Sequence, residues 1–221
     1  MKLYNYYRSS AAFRVRIALE MKGLKYEYIP VHLAKGDHLN SEFGDILPDQ
    51  IVPMLEADGQ RLTQSLAIIE YLNETHPANP LLPADALGRA QARALAQSVA
   101  CEIHPLNNLR VLKYLVKVLG IEEEAKTVWV RYWIRRGLEA FEHQLQLLDS
   151  QRAKQGLARS SYCLGAAPTV ADLCLAPQIF NAKRFNVNLD NLPRTMAVFE
   201  LCMSLTSFQL AQPSSCPDFE A

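Results

Sequence analysis

Apolar positions recur with different rhythms in the two parts of this chain. Lys2 to Tyr6 is a short β-prone run, and Ala11 to Lys22 places Phe13, Ile17 and Met21 four residues apart, the spacing of one helical face. Gly23 follows where a helix C-terminal glycine belongs. Tyr26 to Pro30 is the next strand candidate, and Leu39 to Phe43 reads as a weak helix. Met54-Leu55-Glu56 and Arg61-Leu62 flank Asp58-Gly59, a pair suited to a tight hairpin turn. Leu66 to Glu74 carries Ile68, Ile69, Tyr71 and Leu72 and predicts a helix. The order β-α-β-α-β-β-α over about 75 residues describes a compact α/β unit.

Proline punctuation at Pro77, Pro80 and Pro83 marks a linker, and beyond it the pattern is helical almost throughout. Helices are expected over Gly88 to Ile103, Leu106 to Val118, Glu122 to Leu148, Ala171 to Phe185 and Met196 to Leu205, with Pro105 bending or splitting the first pair. Gln151 to Ser161 reads as a polar surface loop and Gln212 to Ala221 as a loose tail. The predicted organisation is 1–78, an α/β domain; 79–86, a linker; and 87–221, an all-helical domain.

Charge narrows the function classes. Lys plus Arg and Asp plus Glu are equal at 23 each, and charged residues make up 21% of the chain. A neutral balance carries no electrostatic footprint for nucleic acid or an anionic membrane, although a local cationic pocket remains compatible with it. No apolar run is long enough to span a bilayer, and Met1 to Arg8 lacks an apolar signal core, so a cytoplasmic protein is expected. Cys101, Cys163, Cys174, Cys202 and Cys216 form no Cys-x-x-Cys pair, which points to free thiols and away from disulfide exchange. Cys101 and His104 lack the further ligands a metal site needs.

The candidate chemistry lies where strands meet helices. Arg8-Ser9-Ser10 stands at such a junction; either serine can simply cap the helix. The same N-terminus offers N–H groups and partial positive charge that stabilise a thiolate or carboxylate. Val52-Pro53 enters a strand, where the proline is either a plain turn residue or leaves the Val52 backbone to pair with an extended ligand. Ser65 after Gln64 is again either a cap or part of an anion site. The stretch Cys101 to Arg110 is unusually polar for a helix, with His104 and Asn108 four apart and Asn107 and Arg110 three apart; it is either a solvated face or a binding face. Pro168 to Leu173 holds a capping box, with Thr169 as cap and Asp172 reaching back.

Tyr7-Arg8-Ser9-Ser10-Ala11-Ala12-Phe13-Arg14-Val15-Arg16-Ile17-Ala18-Leu19 resembles the signature of zeta-class glutathione transferases, a class that includes maleylacetoacetate and maleylpyruvate isomerases. The likeness continues in order through Val52-Pro53, Gln64 to Leu72, Leu81-Leu82-Pro83, Ile103 to Asn108 and Thr169 to Gln178. It implies a thioredoxin-like N-terminal domain, an all-α C-terminal domain, a homodimer and glutathione as cofactor. It also implies a cis Pro53, with Val52 pairing to the cysteinyl unit of glutathione, Gln64 and Ser65 at the γ-glutamyl carboxylate, Ser9, Ser10 and Ala11 at the sulfur, and His38 near the glycine end. Glu102, His104, Asn108 and Arg110 fall where members approach glutathione or substrate, some across the dimer interface. Arg8, Arg110 and Arg184, with Asn108, match positions suited to the carboxylates of a small acidic enedione-type substrate.

Departures from the family pattern sharpen the chemistry. Many members carry Cys at the position of Ala11 and Trp or Tyr at that of Phe13, so in this chain no protein thiol stands at the turn and the nucleophile must be glutathione itself. Ile46-Leu47-Pro48-Asp49 replaces a common Asn-Pro stretch, and the loop after Gln151 looks longer than usual. The expected reaction is cis–trans isomerisation of a maleyl-type dicarboxylate in tyrosine or other aromatic breakdown, Ser9, Ser10 and Arg8 being the catalytic candidates, with the polar 104–110 stretch leaning towards maleylpyruvate. Two alternatives stand beside it: a transferase that conjugates electrophiles such as α-haloacids, and a noncatalytic binding protein of the same fold.

Overall fold

The computed structural model describes residues 1–44, 46 and 49–220; Leu47 and Pro48 of the departing Ile46–Asp49 stretch, and Ala221, lie outside the described residues. Contacts divide the chain into two compact units, Met1–Leu81 with Ser204–Ala221, and Leu82–Met203.

The first unit is built on four strands. β1 (Lys2–Asn5) is followed by α1 (Ser10–Met21), β2 (Glu27–Pro30), a 3-10 turn (Asp37–Leu39), α2 (Ser41–Gly44), β3 (Met54–Ala57), β4 (Gln60–Thr63) and α3 (Ser65–Thr75). The sheet order is β2-β1-β3-β4, with β1 parallel to β2 and the other neighbours antiparallel, a thioredoxin-like arrangement. Asp58 and Gly59 join β3 to β4 with φ of 51° and 73°, the pair of positive values that a two-residue hairpin loop demands. Gly23, at φ 64°, ends α1 as its neighbour Leu24 donates back to the Leu19 carbonyl.

Strand register decides where chemistry can collect. Tyr4 pairs with Met54 and Met54 with Thr63. The C-terminal end of β1, the entry to β3 and the exit of β4 therefore share one edge of the sheet. The C-terminal end of β2, parallel to β1, lies at that edge too. Ser9, Val52-Pro53, Gln64-Ser65 and the segment carrying His38 all leave or enter the sheet there.

Two sequence-based expectations about the C-terminal segment are corrected. Residues 204–220 belong with the first unit and not with the helical part, and this described part of the tail is not loose. It continues from α8 (Pro193–Met203) through α9 (Thr206–Ala211), a helix the periodicity does not reveal. The Ala211 carbonyl accepts from Arg16 Nε at 2.9 Å. Asp218 accepts from the Tyr7 amide at 3.2 Å and from the Tyr28 hydroxyl. Burial, then that hydrogen bond, push the Tyr28 phenol far above its usual value. Phe219 stacks edge-on against Tyr7, and Glu220 pairs with His32 and Lys35. Asp218→Ala should lower stability by about 2 kcal/mol, since it strands a backbone donor and a phenol. Thermal melting should then fall by roughly 4–8 °C. The Lys35 and His32 hydrogen bonds hold the Glu220 carboxyl below its ordinary value, so its contribution is present above the unfolded-state value and is lost as pH falls through the folded-state value.

The second unit is helical. Besides α8 it contains α4 (Ala86–Gln97), α5 (Leu109–Lys117), α6 (Glu123–Lys154) and α7 (Val170–Arg184). α7 is buried along almost its whole first three turns, from Val170 to Ile179, and forms the centre of this unit. Its start is the predicted box: Thr169 Oγ1 accepts from the Ala171 amide, and the Asp172 carboxylate accepts from the Thr169 amide at 2.7 Å. α6 runs past the predicted end at Leu148 to Lys154. The remaining part of the expected surface loop is anchored rather than free. Arg194 is buried, pairs with Asp149, and donates to the carbonyls of Ser160 and Tyr162 at 2.7 Å each.

Candidate active site

Each unit holds a group of the predicted residues. In the first unit, Ser9 has extended backbone (φ −71°, ψ 114°) and caps α1, its Oγ accepting from the Ala12 amide at 3.2 Å. The hydroxyl proton is not used by that bond, so Ser9 can cap the helix and donate outward at once. Ser10 opens α1, and Ser10 and Ala11 place first-turn amides where no intrahelical acceptor exists by position. The sulfur of a bound thiol placed here would meet amides, the Ser9 hydroxyl and the positive end of a twelve-residue helix. Arg8 stands exposed just before the cap. Burial pushes the nearby Tyr6 hydroxyl up to about 12, which keeps it protonated near neutral pH.

Val52-Pro53 is a cis peptide and both residues are buried. The β1–β3 ladder ends at Met54, so Val52 runs past the paired residues at the sheet edge. Gln64 precedes α3 with φ 68°, a left-handed backbone unusual for a glutamine and of the kind stored at ligand sites. Ser65 is buried at the first position of α3 and its Oγ accepts from Arg14 Nη1 at 3.2 Å. His38 is buried in the 3-10 turn after β2. Arg14 was not among the predicted site residues; the available signal was a pair of cations, Arg14 and Arg16, set among the apolar residues of α1.

In the second unit the polar stretch is not one helix. α4 passes into a π-turn (Ser98–Ile103), then a 3-10 turn (His104–Asn107), and stops at Asn108, whose φ −69° and ψ 144° are extended. Such π segments are frequent at functional positions. Asn108 caps α5 by accepting from the Arg110 amide at 3.1 Å, and its Nδ2 lies 3.5 Å from His104 Nε2. The expected Asn107–Arg110 face does not form: Asn107 is buried, whereas Arg110 is exposed. Glu102 lines a cavity of about 440 Å³ with Leu106, Trp133, Arg136 and Glu139, which His104 and Asn108 do not line. Arg184, at the end of α7, is exposed, and its Nη2 donates to Asn181 Oδ1 at 2.8 Å. Asn181 Nδ2 donates to Asn107 Oδ1 at 2.9 Å, and Asn107 Nδ2 to the Ile103 carbonyl at 2.8 Å. This relay of buried amides orients a surface guanidinium; Asn107 was read from the sequence as sharing a face with Arg110, and its bond to Asn181 was not foreseen. The three-residue spacing of Asn181 and Arg184 on one helix was the legible clue.

The first unit is thus thioredoxin-like, with the starts of its helices gathered where the strands end, and the second unit is helical. Residues 1–74 match the family model for the glutathione S-transferase N-terminal domain, and residues 131–197 that for the C-terminal domain. The chain is 46% identical over 218 residues to a maleylpyruvate isomerase of a Ralstonia species, covering 99% of both chains. A solved bacterial zeta-class maleylpyruvate isomerase superposes with a TM-score of 0.93 at 45% identity, covering 100% of each chain. A maleylacetoacetate isomerase from Methylobacterium extorquens AM1, solved with malonate and glutathione, superposes with a TM-score of 0.90 at 37% identity, again over 100% of each. The chain belongs to the glutathione S-transferase family, in its zeta class, and glutathione is its cofactor.

Proposed function

We propose that this protein is a glutathione-dependent cis–trans isomerase of a maleyl-type dicarboxylate, maleylpyruvate or maleylacetoacetate, acting in aromatic or tyrosine catabolism. The observation that carries the reading is the Ser9 turn: a helix N-terminus with a hydroxyl, and with Ala11 in place of any protein sulfur. The likeness to isomerases along the full chain supports it.

The chemistry follows from what such a turn supplies. Glutathione, bound by Val52-Pro53 and Gln64-Ser65 with His38 at its glycine end, presents its thiol to Ser9, Ser10 and Ala11. Such an environment lowers a thiol pKa by about one to several units. The thiolate adds to an alkene carbon; the C–S bond forms and the π pair moves onto the conjugated carbonyl oxygen as an enolate. The former double bond is now single and rotates. The enolate then collapses, the trans C=C forms, the C–S bond breaks and the thiolate is released unchanged. Cations at Arg8, Arg110 and Arg184 would take carboxylate and enolate charge, and Asn108 and His104 would supply hydrogen bonds. A homodimer in the cytoplasm completes the reading; no described helix is long and apolar enough to cross a membrane.

One assay decides among the readings. Enzyme, glutathione and either maleyl substrate are mixed, and isomer and free thiol are followed together. Isomerisation with constant thiol is expected. Stoichiometric thiol loss would indicate a conjugating transferase, and no change in either would indicate a noncatalytic binder. Arg184→Ala should raise KM for a dicarboxylate about tenfold or more, the size of one charge-assisted contact, while leaving KM for a neutral electrophile nearly unchanged. Equal effects on both would remove Arg184 from the substrate's carboxylates.

A further inference from the structure

α1 carries two arginines two positions apart, and both are almost fully buried, Arg14 at 2% and Arg16 at 1% exposure. They differ in how their donors are used. Every nitrogen of Arg16 has an acceptor: Nε donates to the Ala211 carbonyl, Nη1 to Asn5 Oδ1 and the Tyr6 carbonyl, and Nη2 to the Tyr7 carbonyl. It ties β1, the turn and α9 together, which accounts for its burial. Arg14 makes one bond, from Nη1 to Ser65 Oγ, and its Nε and Nη2 have no acceptor. No described carboxylate pairs with it. A buried guanidinium with open donors and no counter-charge is costly, and such a group calls for an anion.

The location says which anion. Ser65 opens the eleven-residue helix α3 after the left-handed Gln64, so helix amides, a hydroxyl and a guanidinium meet at one end of α3. Because Ser65 Oγ accepts from Arg14, its proton is directed away from the guanidinium and is available to a ligand oxygen. We propose that Arg14 is the counter-charge and positioning residue for the α-carboxylate of glutathione's γ-glutamyl unit, acting through the Ser65 hydroxyl. This rests on the reading of Gln64-Ser65 as the glutathione carboxylate site. Arg14 is then why the pocket prefers an anionic amino-acid end over a neutral one, a selectivity that α3 alone would provide only weakly.

The test compares two ligands on the full chain: glutathione, and γ-aminobutyryl-cysteinylglycine, which lacks only the α-carboxylate. Their Kd ratio, measured by calorimetry, reads carboxylate recognition and is insensitive to a general loosening of the fold. Ser65→Ala and Arg14→Met should each reduce the wild-type ratio about tenfold or more, and Arg14→Lys should restore part of it. If Ser65→Ala leaves the ratio unchanged, the Gln64-Ser65 assignment fails and the role of Arg14 with it. If Ser65→Ala collapses the ratio and Arg14→Met does not, the carboxylate site stands and Arg14 is only structural. Should the Arg14 variants not fold, the wild-type protein answers alone. Labelled at its guanidinium nitrogens, Arg14 should show a shifted and exchange-protected Nε–H with glutathione and not with the decarboxylated analogue. The same response to both ligands would overturn the proposal.

Discussion

Ser9→Ala should lower kcat by about a hundredfold or more, the usual consequence of removing one preorganised donor from a developing or stored negative charge. The variant separates two jobs that one oxygen performs. As cap, Ser9 Oγ accepts from the Ala12 amide, and its loss should cost about 1 kcal/mol of stability. As donor, its proton would face the glutathione sulfur, and its loss should raise the bound thiol's pKa by about one to two units. The first effect is read by thermal melting and the second by thiolate ultraviolet absorbance across a pH series. Glutathione affinity should change only a few-fold, because the peptide is held mainly at Val52-Pro53 and Gln64-Ser65. Ser10→Ala is the matched control, since Ser10 begins the helix and does not cap it. A large loss with Ser10→Ala and none with Ser9→Ala would transfer the role to Ser10. Unchanged turnover in both would remove the turn's hydroxyls from catalysis and leave the helix amides to stabilise the thiolate.

What could be read from the chain before its structure follows from the range of the interactions involved. Asp58-Gly59 and Thr169–Asp172 are legible because a hairpin loop and a capping box are settled by residues within three positions of one another. The Ser9, Val52-Pro53 and Gln64-Ser65 positions are legible as helix and strand starts, and family spacing gave them a joint meaning. Their common placement at one edge depends on strand register, which no local pattern states. The tail was misjudged for the same reason. Asp218 and Glu220 look like solvated charges, and their acceptor work is for Tyr7, Tyr28, His32 and Lys35, more than 180 positions away. Arg14 looks like a misplaced charge on an apolar helix until Ser65, 51 residues on, is brought to it. The polar 104–110 stretch was read with a single helical period, and the π and 3-10 turns break that period and send Asn107 inward and Arg110 outward.

Asp172→Ala should destabilise the protein by about 3–4 kcal/mol, the largest stability loss expected of a single polar substitution here. The Asp172 side chain is fully buried at the head of the central helix of its unit. It accepts from the Thr169 amide at 2.7 Å, the Thr169 hydroxyl at 3.0 Å and the Cys163 amide at 2.9 Å. Truncation leaves two buried backbone donors with no acceptor, and each costs about 1–3 kcal/mol when stranded. It also dissolves the box that starts α7, and α7 carries the Asn181 that orients Arg184. Burial pushes the Asp172 carboxyl above its ordinary value despite its hydrogen bonds, and it pushes the neighbouring Cys163 and Cys202 thiols up as well. The thiols therefore stay protonated and inert beside it. Asp172→Asn keeps one acceptor oxygen and should recover about half of the loss, measured by chemical denaturation with Arg184-dependent KM followed in parallel. Two variants as stable as wild type would mean that water takes the place of the carboxylate and that the head of α7 is open to solvent.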